Sequence, residues 1–155
     1  MDFEPVIRGE PARMDTAIFR PEPMNLRDRM LTVPLSQRLS YVAESNILYL
    51  NFERLSVRSS EDVKAIEAEL KRRLAEIGHK VYGIVNYDHF DIAPEVEDQY
   101  AALVKDLVDN YYFGVSRYTT SGFLRAKLGK ALGARGVAPH IYESATEAIQ
   151  HIRDY

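Results

Sequence analysis

The chain has 155 residues, of which 46% are apolar and 28% are charged, and its formal net charge at pH 7 is -3. This length is enough for one hydrophobic core, and the near balance of charges gives no sign of an extended nucleic-acid-binding surface. The absence of cysteine excludes disulfides, thiolate nucleophiles and cysteine-bound metal, and it fits a reducing compartment. Neither a secretory leader nor a bilayer-spanning segment is visible, so we expect a cytoplasmic protein without a membrane or nucleic-acid partner.

The first 35 residues differ from the rest of the chain in their proline content. Five of the seven prolines fall among them, and each fixes its own backbone torsion and removes a hydrogen-bond donor. The large apolar side chains that an extended segment would have to bury are Phe3, Ile7, Ile18 and Phe19. We interpret residues 1–35 as a proline-rich N-terminal arm that contacts another protein domain or a second copy of the chain, and residues 36–155 as one domain.

After residue 35, short apolar runs alternate with helical patterns. The segment RLSYVAESNILYLNF predicts a β-hairpin, because apolar residues alternate on both sides of the polar turn AESN. SSEDVKAIEAELKRRLAEIG then predicts an amphipathic helix, with apolar residues three and four apart, a serine cap before it and Gly78 after it. KVYGIVNYD has the apolar character of a buried strand that ends in a polar loop.

The second half continues this alternation. Pro94 opens a second predicted helix that runs to about Tyr112 and is stopped by Gly114, and VSRY follows as a short strand. TTSGFLRAKLGKALGARG predicts a third helix, HIYE a last strand, and SATEAIQHIRDY a last helix that opens on the capping pattern Ser144-x-x-Glu147. The order ββαβαβαβα predicts an α/β domain with about four helices and a small, mainly parallel sheet with an antiparallel edge hairpin.

Local sequences add a family resemblance to this pattern. With IVNYDHFDI after the core strand and HIYESATEAIQHI at the end, residues 38–155 resemble the STAS-like family, small domains related to bacterial anti-sigma-factor antagonists. Four segments together resemble the region that follows the catalytic body in acyl-CoA:acetate or 3-ketoacid CoA-transferase-like proteins: RPEPMNLRDRML, NFERLSVRSSEDV, IVNYDHFDI and RYTTSGFLRAKLG.

The resemblance implies a STAS-like accessory domain whose partner is a CoA-transferase catalytic domain, or a second copy of the chain met through the arm. Those transferases act through a glutamate in a glycine-rich motif, and no glutamate of this chain has such a setting. The resemblance therefore implies a role in assembly, docking or regulation, with no catalytic residue and no metal. CoA would enter only through the parent protein, and this chain itself would bind no cofactor.

One basic stretch suggests a binding site. RYTTSGFLRAKLGKALGARG, residues 117–136, contains five cations and no carboxylate. If Ser121 caps the third helix, the next backbone amides point to the carboxyl edge of the sheet, where open parallel sheets bind ligands. The anion-binding candidate consists of Thr119, Thr120, Ser121, Gly122, Arg125 and Lys127, and its ligand would be a small anion or the phosphates of an acyl-CoA. The alternative is an ordinary capped helix with a solvated basic face.

The loop after the central strand is a second candidate site. It contains Asn86, Asp88, His89 and Asp91, and an imidazole beside carboxylates could form a proton relay or part of a metal shell. A loop whose polar groups satisfy one another is the interpretation that this short spacing favours.

Two glycines of the third predicted helix stand four residues apart, Gly129 and Gly133. Glycine weakens a helix, so their presence predicts that another backbone comes close, with the domain's own sheet favoured over another subunit.

Overall fold

The computed structural model describes residues 33–155. The predicted arm, residues 1–35, lies outside the described residues except for its last three, and it stays a prediction. The helices are α1 (Ser60–Ile77), α2 (Glu97–Asn110), α3 (Gly122–Gly133) and α4 (Ala145–Arg153). The strands are β1 (Leu39–Val42), β2 (Ile47–Asn51), β3 (Ser56–Val57), β4 (Val81–Asn86), β5 (Asp91–Ile92), β6 (Tyr112–Tyr118) and β7 (Ile141–Tyr142). Two 3-10 turns span Leu35–Gln37 and Pro94–Val96.

The main sheet has five strands in the order β1-β2-β4-β6-β7. β1 and β2 pair antiparallel, and every other pair of neighbours is parallel. The predicted α/β class, the four helices and the mainly parallel sheet with its antiparallel pair are confirmed. The predicted order lacks β3 and β5, which pair with each other in a separate two-stranded sheet and are only two residues long each.

Helix α1 has both of its predicted ends. The Ser59 hydroxyl oxygen accepts from the Asp62 amide at 3.2 Å, and the Asp62 carboxylate accepts from the Ser59 amide at 3.2 Å, which makes a complete capping box. Gly78 ends the helix in the left-handed conformation with φ 82°. The buried side of the helix consists of Val63, Ile66, Leu70 and Leu74.

The helices are divided unequally between the two faces of the sheet. Buried residues of α1, α2 and α3 join one core with Leu48 and Leu50 of β2. On the other face, Ala148 and Ile152 of α4 pack with Ile84 of β4. Because the strand order never reverses, the sheet formed within residues 33–155 has no topological switch point, which is where open α/β sheets usually form a ligand crevice.

The predicted end of the second helix is wrong. α2 ends at Asn110, and Tyr112 begins β6, where its side chain is 7% exposed. Gly114 does not stop the helix but lies inside β6, and the ring of Tyr155 occupies the space where a side chain at Gly114 would stand. Burial of Tyr112 in the core therefore decides a boundary where both helical and strand patterns fit the sequence.

The capping pattern predicted for α4 is half correct. The Ser144 hydroxyl oxygen accepts from the Glu147 amide at 3.2 Å, as predicted. The Glu147 carboxylate instead accepts from the amide of Glu143, one residue before the cap, at 3.1 Å.

The close backbone approach predicted at the glycines of α3 is not found among residues 33–155. A methyl group at Gly129 would meet only Pro139, at 3.9 Å, and one at Gly133 would meet nothing within 4 Å.

Within residues 33–155, no helix combines the length and the apolar character needed to cross a membrane.

Candidate functional site

The parallel strands of the main sheet end side by side along one edge. Their last residues form one row in the strand registers: Asn51, Asn86, Tyr118 and Tyr142. The Asn86 side-chain amide donates to the Asn51 oxygen at 3.2 Å and to a Glu53 carboxylate oxygen at 3.4 Å. Burial, followed by the carboxylates of Asp88 and Glu53, raises the pKa of Tyr118. The row is therefore a strip of neutral amides and phenols partly held by internal hydrogen bonds.

Members of both candidate groups from the sequence meet at this edge. One carboxylate oxygen of Asp88, after β4, accepts from the Thr120 amide at 2.7 Å and from the Thr120 hydroxyl at 3.1 Å. Because β4 and β6 are neighbours in the sheet, the loops that follow them lie side by side. Asp88 thus supplies, from within the chain, a negative charge to the loop that was predicted to bind an anion.

The predicted cap of α3 is Ser121. Its hydroxyl oxygen accepts from the Leu124 amide at 3.1 Å, and Gly122 begins the helix. Thr119 is fully buried, and its hydroxyl oxygen accepts from the Ser121 amide at 3.2 Å. The hydroxyl groups of Thr119 and Ser121 therefore hold the start of the helix in place.

The two cations of the anion-binding candidate already have partners in the chain. Arg125 donates to the Thr119 carbonyl at 2.7 Å and lies 3.5 Å from the Glu143 carboxylate. Lys127 donates to the Ile92 carbonyl at 2.8 Å and lies 3.4 Å from the Glu97 carboxylate. Because each cation already has a carbonyl and a carboxylate partner, its attraction for a bound anion is reduced.

A groove of about 570 Å³, open solvent included, lies between the β4–β5 loop and α3. Its lining includes His89, Asp91, Thr120, Ser121, Phe123 and Lys127. His89 takes a positive φ of 56° and is exposed at the tip of its loop. Asp91 forms an ion pair with Arg58. The groove therefore combines parts of both candidate groups, and the candidates that do not line it are Asn86, Asp88, Thr119, Gly122 and Arg125.

Phe123, in the first turn of α3, is a groove residue that the sequence-based candidates missed. It is 78% exposed, the highest value among the large apolar side chains of residues 33–155. Asn51 and Glu53 at the strand row were missed too. Two signals in the sequence were available. Phe123 is an aromatic residue outside the helix side formed by Leu124 and Leu128, and Asn51 is a polar residue at the end of a predicted strand.

The groove does not contain the arrangement of an activated nucleophile. The Ser121 hydroxyl caps a helix and the Thr120 hydroxyl is bonded to Asp88, so neither is hydrogen-bonded to a histidine. Among residues 33–155, no group of three or more His, Asp or Glu side chains is arranged so that it could hold a metal ion. What the groove offers is an exposed aromatic ring beside satisfied polar groups, an arrangement suited to binding.

Comparisons with known proteins give no relative for this chain. No family model matches it, and neither a curated protein nor a solved structure matches it at a significant level.

Proposed function

We propose that residues 36–155 form a non-catalytic docking module, a STAS-like accessory domain of a cytoplasmic CoA-transferase-like protein. The observation that carries the proposal is the exposed ring of Phe123 at the rim of the groove. Phe123 stands in the first turn of a capped helix, so its backbone is held in place before a partner arrives.

The polar surroundings of Phe123 support docking over catalysis. Aromatic anchors surrounded by polar groups are typical of protein interfaces, where a few such residues supply most of the binding energy. The nearby Thr120 and Ser121 side chains are engaged in hydrogen bonds that hold the loop, and Lys127 is bonded to a carbonyl. These groups rigidify the surface on which the aromatic ring is presented.

The proposed partner is the catalytic body of a CoA-transferase-like protein, as the sequence resemblance implies. Binding to that body is the test, measured by calorimetry with the full chain. We expect Phe123→Ala to weaken binding at least about tenfold, because truncation of an interface anchor costs about 1.4 kcal/mol or more.

Phe113→Ala is the matched control. Phe113 is 59% exposed and lies at the start of β6, whereas Phe123 lies beyond the other end of that strand. We expect it to bind like the unmodified chain. Equal affinity for all three proteins would contradict the docking surface, and CoA transfer by the chain alone would contradict the non-catalytic role. If the chain does not bind the catalytic body but associates with itself, and Phe123→Ala loses this self-association, the partner is a second copy of the chain.

A second candidate function is binding of a small anion or an acyl-CoA phosphate, which is favoured by Lys127 and the start of α3 in the groove wall. We expect CoA to raise the melting temperature of the chain, and we expect this rise to disappear in Lys127→Ala. Lys130→Ala is the control, because Lys130 is exposed on the same helix and does not line the groove. The rise caused by CoA is the quantity to compare, since Lys127 also bonds to Ile92. No rise with CoA or phosphate would remove this candidate.

A further inference from the structure

Arg117 of β6 is a cation inside the main core. It is 2% exposed, and its Nη1 atom donates to the carbonyl of Pro139 at 2.6 Å and, more weakly, to that of Ala138 at 3.5 Å. None of the ion pairs formed among residues 33–155 includes Arg117. A buried guanidinium normally has a carboxylate partner, because removal of its charge from water is costly.

Three buried tyrosines share this part of the core and do not neutralise the charge. The hydroxyl oxygens of Tyr87 and Tyr100 are 2.6 Å apart, so one donates to the other. Burial raises the pKa of Tyr87, of Tyr100 and of Tyr112, although the charge of Arg117 opposes this rise in each. All three remain neutral phenols at physiological pH, so none of them supplies a counter-charge to the Arg117 guanidinium.

The cluster borders a cavity between buried side chains, in which about 20 Å³ is open to the centre of a water-sized particle. Every residue of the cavity wall is buried, and apart from Arg117 and the three tyrosines the wall is apolar: Leu50, Phe52, Ile66, Leu70, Val85, Leu103, Val104, Leu107 and Val115. Two polar atoms of the wall residues have no hydrogen-bond partner, Nε of Arg117 and the hydroxyl oxygen of Tyr112. Buried polar groups are normally satisfied, so both atoms are available to bind an occupant of the cavity.

Size and hydrogen-bonding capacity restrict the occupant. A water molecule needs about 10–15 Å³ of space for its centre. The cavity offers about 20 Å³ of this space, so it has room for one small particle and excludes phosphate or a carboxylic acid. The Arg117 Nε–H group can only donate, and the Tyr112 hydroxyl also has a proton to donate. A water molecule could accept from Arg117 and donate to the Tyr112 oxygen, but it would leave the guanidinium without a counter-charge, which an anion supplies.

We propose that this cavity is a binding site for one small monovalent anion of the size of chloride, held by the Arg117 guanidinium and the Tyr112 hydroxyl. The anion would supply the counter-charge that no carboxylate of residues 33–155 provides, and it would occupy the two unpartnered groups. This site lies in the core between the sheet and α1 and α2, and it is independent of the groove beside Phe123.

The test compares equilibrium unfolding of the full chain in sodium chloride and in sodium gluconate at equal ionic strength, after unfolding and refolding in gluconate to remove bound halide. Gluconate is too large for the cavity. We expect the unfolding constant to fall with rising chloride, approaching about tenfold for each tenfold increase above the dissociation constant, and not to fall with gluconate. Bromide soaked into crystals should give an anomalous peak in the cavity.

Variants locate the effect. Arg117→Met keeps the length of the side chain and should abolish the chloride dependence, and Tyr112→Phe should weaken it. Arg135→Met is the control, because Arg135 pairs with Asp98 at the surface and the chloride dependence should persist. If Arg117→Met does not fold, the proposal is tested by the chloride dependence of Tyr112→Phe and by the bromide peak in the unmodified chain. The same unfolding constant in both salts together with an empty cavity in the bromide data would overturn the proposal, as would a chloride dependence that Tyr112→Phe leaves intact with no bromide in the cavity.

Discussion

The hydroxyl groups of Tyr87 and Tyr100 meet inside the core, and their hydrogen bond is the basis of a stability prediction. Tyr87→Phe removes one of the two hydroxyls and leaves that of Tyr100 without its partner. We expect a loss of about 1–3 kcal/mol in the free energy of unfolding, measured in urea, because buried polar groups are left unsatisfied. Tyr155→Phe, at the exposed C-terminal residue, should change it by less than about 0.5 kcal/mol. Equal stability of both variants would show that the buried pair contributes nothing.

Single residues of the basic stretch 117–136 have different roles, which its composition could not separate. Arg117 is in the core, whereas Arg125 and Lys127 bond to backbone carbonyls near the surface. The predicted strand VSRY already contains Val115 and Arg117 two residues apart, so strict alternation would have placed both side chains on one face. The carbonyls that Arg117 meets come from the loop before β7, and no local pattern indicates where that loop lies.

At the scale of single elements, two glycines should respond in opposite ways to alanine. Gly78 ends α1 with φ 82°, so Gly78→Ala should cost about 1 kcal/mol although nothing lies within 4 Å of the added methyl group. Gly129 lies inside α3 with only Pro139 at an ordinary contact distance, so Gly129→Ala should stabilise by up to about 1 kcal/mol. Thermal unfolding of both variants measures this. A destabilised Gly129→Ala would instead support the close approach that the sequence predicted.

Elements with long periodic patterns or explicit caps could be predicted from the sequence, and short ones could not. α1 shows five apolar residues at helical spacing and two marked ends, so its type and its limits follow from local chemistry. β3 and β5 have two residues each and exist because Ser56 and Val57 find partners in Asp91 and Ile92, more than thirty residues later in the chain. Two residues cannot display a period, so such strands depend on tertiary contacts alone.

For the whole molecule, we expect stability to fall below about pH 6.5. Burial, followed by the charges of His151 and Arg117, lowers the pKa of His140, and the His140 and His151 rings are 4.4 Å apart. The folded chain therefore binds this proton less well than the unfolded chain, so this contribution to stability is fully present above the unfolded pKa of about 6.5 and is lost as the pH falls from there through the lowered pKa of the folded chain.

Urea midpoints at about pH 7.5 and about pH 5.5 test this expectation, because carboxylates with lowered pKa values, those of Asp98 and Asp106, titrate at lower pH. His140→Gln should reduce the difference between the two midpoints. An unchanged midpoint of the unmodified chain would contradict the expectation.

The architecture as a whole was predictable in class but not in arrangement. Helical connections between strands require a parallel sheet, and this much follows from the sequence. The strand order and the sides of the sheet on which the helices lie depend on packing between distant segments. The candidate site shows the same division: Asp88 and Thr120 were each singled out from the sequence, yet their hydrogen bond depends on β4 and β6 being neighbours.

Each strand of the main sheet pairs with the strand that comes before it in that sheet along the chain. A nascent polypeptide leaving the ribosome can therefore add each new strand to an edge that already exists, beginning with the β1–β2 hairpin. Pairing partners are separated by little more than one helix and its loops, and such a low contact order favours rapid folding. Until β7 arrives, the growing chain exposes an open parallel edge. β7 has only two residues and pairs only with Arg117 and Tyr118, so the earlier part of β6 keeps, among residues 33–155, an edge without a strand partner, on which another strand could pair.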